Sequence, residues 1–348
     1  MKFTVVVPTQ NRPETLAHAL ASVFAQSFGD FEAVVVDDGS DPAHRAGYDA
    51  VMQPYGARLR LFRLPPVRRG HGPAYARNFA VSQSAADYIC FLDDDDVWTD
   101  RDFLARVARV IDAERRTVDL HFSDQAAYQG DRRLDRVIWI EGLPLVLPGN
   151  LQVQEGAYDV RVAQLMQCDG FCHLNTTVVR RAFFGWIGGF DENIRYESDR
   201  DFFLRAIDAA TLIKYSPVVT AQHNVPVREN CCNVSTSMSD YGRYIFQMRL
   251  LDKAILFSRQ KELRDYGKRH KNYTLKRIAE VLWRGKDYEA AVYYAQHAIC
   301  AGFSVKWLLF YLWLWGHWTF RRLVPPGQNA ATGRPDGRTL YYLGPEPG

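Results

Sequence analysis

The run Tyr88-Ile89-Cys90-Phe91-Leu92-Asp93-Asp94-Asp95-Asp96 decides how this chain is read, because an apolar stretch stops abruptly at four consecutive acids. A short, continuous apolar run of this kind reads as a strand buried on both faces. Two earlier runs share the form. Phe3-Thr4-Val5-Val6-Val7 ends at Pro8-Thr9-Gln10-Asn11, and Phe31-Glu32-Ala33-Val34-Val35-Val36 ends at Asp37-Asp38-Gly39-Ser40.

Helical patterns lie between these strands. Pro13 and Glu14 suit the first turn of a helix whose apolar positions Leu16, Leu20, Val23 and Phe24 recur at helical spacing. A second helix is expected from Pro73 to Ser84, and a third from Thr99 as N-cap through Phe103, Leu104, Val107, Val110 and Ile111. Alternation of strand and helix predicts an α/β class with a mostly parallel central sheet and flanking helices. Ligands bind at the carboxyl ends of strands in such sheets, so Thr9, Asp38 and Asp93 to Asp96 are expected on one edge. Four adjacent carboxylates repel one another, and a divalent cation would make their packing tolerable.

Val7-Pro8-Thr9-Gln10-Asn11-Arg12, Val36-Asp37-Asp38-Gly39-Ser40, Ala76-Arg77-Asn78 and Phe91-Leu92-Asp93-Asp94-Asp95-Asp96 resemble, in order and spacing, the signatures of family 2 glycosyltransferases of the GT-A fold. Farther on, Gly188-Gly189-Phe190-Asp191-Glu192, followed by Asp199-Arg200-Asp201-Phe202-Phe203-Leu204-Arg205, is similar to the family's acceptor-side motif. The resemblance covers residues 2–235. It implies a Rossmann-like GT-A domain and inverting transfer from a nucleotide sugar.

The resemblance also implies roles. The family's DXD motif maps onto Asp93, Asp94 and Asp95, with Asp95 in direct contact with Mn2+ or Mg2+, Asp93 at the ribose or a metal-bound water, and Asp96 behind them. Such a cation takes one or two carboxylates and completes its shell with substrate phosphates. Asp38 falls over the base, where an acceptor-only carboxylate suits the imide N–H of uracil and rejects cytosine, so UDP is favoured. Pro8, Thr9, Asn11, Arg12 and Arg77 complete the donor side, Arg77 as a guanidinium fork for phosphate. Gln10 or Asn11 stands where many relatives carry an aromatic residue.

Asp199 is the implied catalytic base. Inverting transfer needs one carboxylate to take the acceptor's hydroxyl proton, whereas a hydrolase needs an acid and a base. Ser198-Asp199 stands where the family pattern is most often Glu-Asp, with Glu197 one residue away. His173, Glu197 and Ser198 fall on the acceptor side, within reach of a saccharide or lipid-linked acceptor. His223 and Arg228 fall where relatives carry a late His or basic residue that reaches the diphosphate or the metal.

Competing readings are weaker. A sugar nucleotidyltransferase opens with a Gly-rich, basic loop after its first strand, and this chain has Thr9-Gln10-Asn11-Arg12 there. A non-catalytic nucleotide-sugar or carbohydrate-binding subunit has no need of both Asp95 and Asp199. Gly70 and Gly72, in the basic loop with Arg68 and Arg69, form no dinucleotide fingerprint, and Cys168, Cys172 and His173 lack a second zinc-ligand pair.

With 348 residues the chain is long enough for two domains. Six cysteines, among them the adjacent Cys231 and Cys232, show no regular framework, which predicts reduced thiols. The first strand follows Lys2 at once, so no signal peptide is expected and a cytoplasmic site is. A net charge of +3 gives no reason to expect nucleic acid. The charge is uneven, however. Residues 243–286 hold thirteen Lys and Arg against four acids, a local +9, and precede an aromatic segment from Phe303 to Val324.

Its uninterrupted apolar centre, Trp307 to Trp315, is far short of the ~20 residues that span a bilayer. Peripheral attachment to a cytoplasmic membrane face is expected instead. Residues 272–303 faintly resemble a single tetratricopeptide helix pair. The expected organisation is a GT-A domain over 1–235, with 1–100 for the nucleotide sugar and 101–235 for the acceptor. A helical region over 236–324 and a disordered, Pro- and Gly-rich tail over 325–348 follow.

Overall fold

The computed structural model describes residues 1–68, 70–135, 138–147, 153–168, 170–225 and 238–323. Arg69, Asp169, Arg228, Cys231, Cys232 and the tail from Pro325 lie outside these residues.

The first βα units are β1 (Phe3–Thr9), α1 (Pro13–Phe24), β2 (Phe31–Asp37), α2 (Arg45–Met52), β3 (Leu59–Arg63), α3 (Pro73–Ser82) and β4 (Tyr88–Phe91). A two-residue strand, β5 (Val97–Trp98), then leads into α4 (Phe103–Ala113). The second half contributes β6 (Leu120–Gln129), β7 (Arg132–Arg133), α5 (Leu143–Val146), β8 (Val153–Gln154), β9 (Ala157–Val160) and α6 (Val162–Leu165). It continues through β10 (Thr177–Arg180), α7 (Arg181–Trp186), α8 (Ser198–Ala209) and β11 (Ile213–Asn224). Four helices close the described chain: α9 (Asp240–Phe257), α10 (Lys261–Arg284), α11 (Tyr288–Ala301) and α12 (Val305–Leu323).

The sheet order is β3-β2-β1-β4-β10-β6-β11-β9-β8. β1, β2, β3 and β4 pair in parallel, β10 runs antiparallel between β4 and β6, and β6 pairs in parallel with β11. Hence β1, β2, β4, β6 and β11 all point the same way, and the start of the reversed strand β10 meets their carboxyl ends. One sheet edge therefore gathers Thr9, Asp38, Asp93 to Asp96, His173 and His223.

Alternation along β1 sorts its side chains between two layers. Phe3, Val5 and Val7 join Leu16 and Leu20 of α1 and Leu104 and Val107 of α4. Val6 faces the other way, into a core shared with α3, α8, α9 and α10. In that layer Phe91 at the end of β4 meets Phe190 at 5.4 Å between ring centroids, and Phe190 meets Phe202 of α8 at 4.7 Å. The aromatic stack fixes α8 beneath β4, and Asp199 stands one turn before Phe202.

Thr99 does not cap α4. The helix begins at Phe103 because the amides of Thr99 and Asp100 are held by the carbonyl of Thr220, which extends the short pairing of β5 with β11. The local N-cap signal is overridden by strand pairing.

The C-terminal helices grip α8. Lys253 of α9 reaches Asp191 (3.0 Å) and the buried Asp201 (2.6 Å), and Gln247 donates to Glu197 (2.7 Å). No described helix is long and apolar enough to cross a membrane.

Candidate active site

The site is assembled from strand ends. At the end of β1, the Thr9 hydroxyl donates to Asp94 (2.6 Å) and shares a hydrogen bond with Tyr48 (3.1 Å). Pro8 precedes it within the strand. Asn11 has a left-handed backbone, φ 57°, and its amide donates to Ser40 while its side chain accepts from the amide of Asp41. That turn brings Arg12 over the acids. Its guanidinium pairs with Asp94 at 2.6 Å and with Asp95 at 2.9 Å.

Asp38, just past β2, is held by the loop before α3. It accepts from the backbone and ring Nδ1 of His71 and from the backbone of Gly72, each at 2.8 Å. Gly70 makes this possible: its φ is +64°, and a Cβ there would stand 2.7 Å from an Asp38 oxygen. A carboxylate offers about four lone-pair sites, so three bonds leave room for one more donor.

The four acids are not equivalent. Asp93 pairs with the buried Arg77 at 2.5 Å. Burial would raise the Asp93 carboxyl, but Arg77 and His173 outweigh it and bring it down to about 2. Burial pushes Asp94 up to about 7 against the pull of Arg12, and burial with the charge of Asp96 pushes Asp95 up to about 6. Asp96, fully buried, accepts from Asn175 (2.6 Å), from the backbone of Asn224 (2.7 Å) and from His223 Nδ1 (2.8 Å). Burial opposes the proton on His223, but Asp96 overrides it and raises the ring to about 9.

Asp199, in the first turn of α8, faces this cluster. His173 Nε2 lies 3.9 Å from an Asp199 oxygen and 4.0 Å from an Asp93 oxygen. Burial, then the neighbouring His223, lowers the His173 pKa and favours the neutral ring. Glu197 stands at the N-cap position of α8 in a left-handed conformation, φ 57°, without a side-chain bond to the helix amides. Its two oxygens are taken by Arg200 (3.0 Å) and Gln247 (2.7 Å), and Ser198 is buried beside it. Arg200 in turn donates to Tyr266 of α10 (2.7 Å).

Asp96, His173 and His223 each offer a ligand atom, all within 4.8 Å of one another. A carboxylate with two imidazoles is a donor set that would fit a divalent cation. His223, expected near the metal, belongs to this triple. Asp95, expected as the direct ligand, lies beside this triple in the acidic run and pairs with Arg12.

Sequence reasoning passed over Asn175 as a site residue. Its amide group bonds Asp96, its oxygen accepts from the Asp93 backbone (3.1 Å), and its carbonyl accepts from the Trp98 indole (2.8 Å). Trp139 was also unmarked, yet its ring packs 5.4 Å from His223 and 6.0 Å from His173. Neither residue carries a local signal, since both act through contacts remote in sequence.

A glycosyl transferase family 2 model matches residues 4–167. The amylovoran biosynthesis glycosyltransferase AmsB of Erwinia amylovora is 28% identical over 212 residues, which cover 59% of this chain and 64% of that relative. The chain thus spans somewhat under two thirds of that protein's length. Among solved structures, S. aureus TarS 1-349 in complex with UDP-GlcNAc superposes with a TM-score of 0.61 at 20% identity, over 86% of this chain and 81% of that one. The mannosyltransferase PcManGT from Pyrobaculum calidifontis, in complex with GDP-Man and Mn2+, gives 0.54 at 18% identity, over 93% of this chain and 81% of that one. These likenesses agree with the GT-A arrangement of strands and helices. Taken with the ordered motifs along its sheet edge, the match identifies residues 4–167 as a family 2 glycosyltransferase domain.

Proposed function

We propose that the protein transfers a glycosyl group, with inversion, from a nucleoside diphosphate sugar to a hydroxyl of a saccharide or lipid-linked acceptor. The observation that carries this reading is the convergence of Asp93, on the donor side, and Asp199, on the acceptor side, upon His173.

Asp199 accepts the proton of the acceptor hydroxyl as that oxygen attacks the anomeric carbon. The bond from that carbon to the diphosphate oxygen breaks, and the nucleoside diphosphate leaves with the bonding pair. A single displacement inverts the configuration. Arg77 and Arg12, already at the acids, are the guanidinium forks placed to meet phosphate oxygens. A divalent cation bound by Asp96, His173 and His223, or by the neighbouring Asp95, would neutralise charge on the departing diphosphate. Mn2+ or Mg2+ is the expected ion.

UDP is the preferred nucleotide. Asp38 retains one acceptor position beyond its bonds to His71 and Gly72, which suits the imide N–H of uracil. AmsB is named for amylovoran biosynthesis, and TarS and PcManGT were solved with nucleotide sugars. These names support polysaccharide or glycan synthesis as the setting.

Thermal-shift screening of nucleotide sugars with Mn2+ should select a UDP-sugar, and UDP release should rise when acceptor is added. A sugar nucleotidyltransferase would release pyrophosphate from a nucleoside triphosphate. A binding subunit would show the thermal shift and no release.

A further inference from the structure

We propose that the outward face of α12 docks on an anionic lipid bilayer. The helix divides its apolar residues between two sides. Trp307, Phe310, Tyr311, Leu314 and Trp318 turn inward onto Ala279, Val292 and Ala295 of α10 and α11. Val305, Leu309, Leu312, Phe320 and Leu323 fall at helical spacing on the other side, and all are exposed, from 49% at Leu312 to 81% at Leu323. Trp313 and Trp315 flank this stripe, each about half exposed. At about 1.5 Å per residue the helix carries it for about 28 Å. A contiguous apolar stripe of that length on a water-facing helix marks an interaction surface.

Charge selects the occupant. Val305–Leu323 contains no acid, with Lys306 at one end and Arg321 and Arg322 at the other. Lys276 of α10 adds a cation above the ring of Trp307, at 5.4 Å. Such an arrangement, an apolar centre rich in Trp with cations at both ends, suits a helix lying in the headgroup plane of an acidic leaflet. A second copy packed on the same face by a two-fold axis would set basic ends against basic ends in either helix direction. Residues 324–348 hold one short apolar run, Leu340-Tyr341-Tyr342-Leu343, among Pro, Gly and polar residues. Since no described helix can cross a membrane, contact is in-plane.

Lipid docking reaches beyond the transfer reaction and does not depend on which sugar is transferred. The test uses the full chain with phosphatidylcholine vesicles, with and without phosphatidylglycerol. Intact protein should co-sediment with the anionic vesicles, weakly with the neutral ones, and less as salt is raised. Brominated acyl chains should quench its Trp fluorescence. The triple variant Leu309→Asn, Leu312→Asn, Phe320→Asn alters only exposed side chains. It should keep the native circular dichroism and lose binding at least about tenfold.

Four results would overturn the assignment. They are no binding of intact protein to anionic vesicles, equal binding by the triple variant, a solution dimer that the triple variant abolishes, and vesicle binding that appears only after residues 324–348 are removed. The third would assign the face to a second copy, and the fourth to the chain's own C-terminal segment.

Discussion

Asp93 and Asp199 approach one another across a single imidazole, with His173 Nε2 at 4.0 Å from the first and 3.9 Å from the second. Asp93 is fixed by Arg77, and Asp199 by the helix that Phe202 stacks beneath β4. Burial, then the neighbouring His223, favours the neutral ring, so neither contact is an ion pair. As a proposed cation ligand beside Asp199, His173 serves both sides of the site, and His173→Gln should both lower kcat by roughly tenfold to a hundredfold and weaken Mn2+-dependent donor binding. Single-turnover rates and UDP-sugar titration separate the two. Mn2+-dependent donor affinity left unaltered would remove His173 from the cation site.

Arg12 stands among the acids where a cation is wanted, paired with Asp94 and Asp95. Removing one partner of a buried pair typically costs about 3–5 kcal/mol, because the charge left behind stays buried. Arg12→Met should lower Tm in the presence of EDTA, and Mn2+ should restore much of that loss. Thermal denaturation with and without Mn2+ provides the check. A deficit that Mn2+ leaves untouched would contradict a cation site at these acids.

Lys253 ties the helical region to α8 through Asp201 and to the segment before it through Asp191. Lys253→Met leaves Asp201 buried, but Arg205 still pairs with it at 2.9 Å. The expected loss is about 2 kcal/mol, below the usual range for a broken buried pair. Denaturant unfolding measures it. Since α9 also supplies Gln247 to Glu197, kcat should fall before donor binding does.

Asp124 lines a cavity of about 310 Å³ with Gln125, Arg133 and Glu141. Burial raises its carboxyl to about 7, although the Tyr215 hydroxyl bonds to it and pulls the other way. An acid raised in the folded state binds more protons there than when unfolded. Its ionisation therefore costs stability as pH climbs from about 4 to about 7, and the cost levels off above that. Asp124→Asn should raise Tm at pH 8 and leave it nearly unchanged at pH 4. Melting curves across this window decide the matter, and a mutational effect independent of pH would refute the shift.

Much of this architecture is legible in the primary structure, because its strongest signals are local. The β-branched runs of β1 and β2 and the apolar run of β4 end at polar residues for a reason contained within each segment. Pro13 likewise opens α1, and Asp199 and Asp201 open α8. What escaped reading depends on partners far apart in the chain. Thr99 looks like an N-cap until β11 claims its neighbours. Asn175 looks like any polar residue before a strand until β10 reverses and delivers it to Asp96. Asp95, expected at the metal, is reached by Arg12 by way of a left-handed Asn11 that no periodicity announces.

The central claim is that one carboxylate, that of Asp199, takes the acceptor's proton at a site otherwise built to hold the donor. The most direct measurement compares Asp199→Asn with the intact protein for two quantities: the single-turnover rate of sugar transfer and the affinity for UDP with Mn2+. The expected result is a loss of transfer of about 10²–10⁴-fold, the usual worth of a general base, with UDP affinity unaltered. Full turnover by the Asn variant, or a collapse of UDP binding in step with the rate, would contradict it.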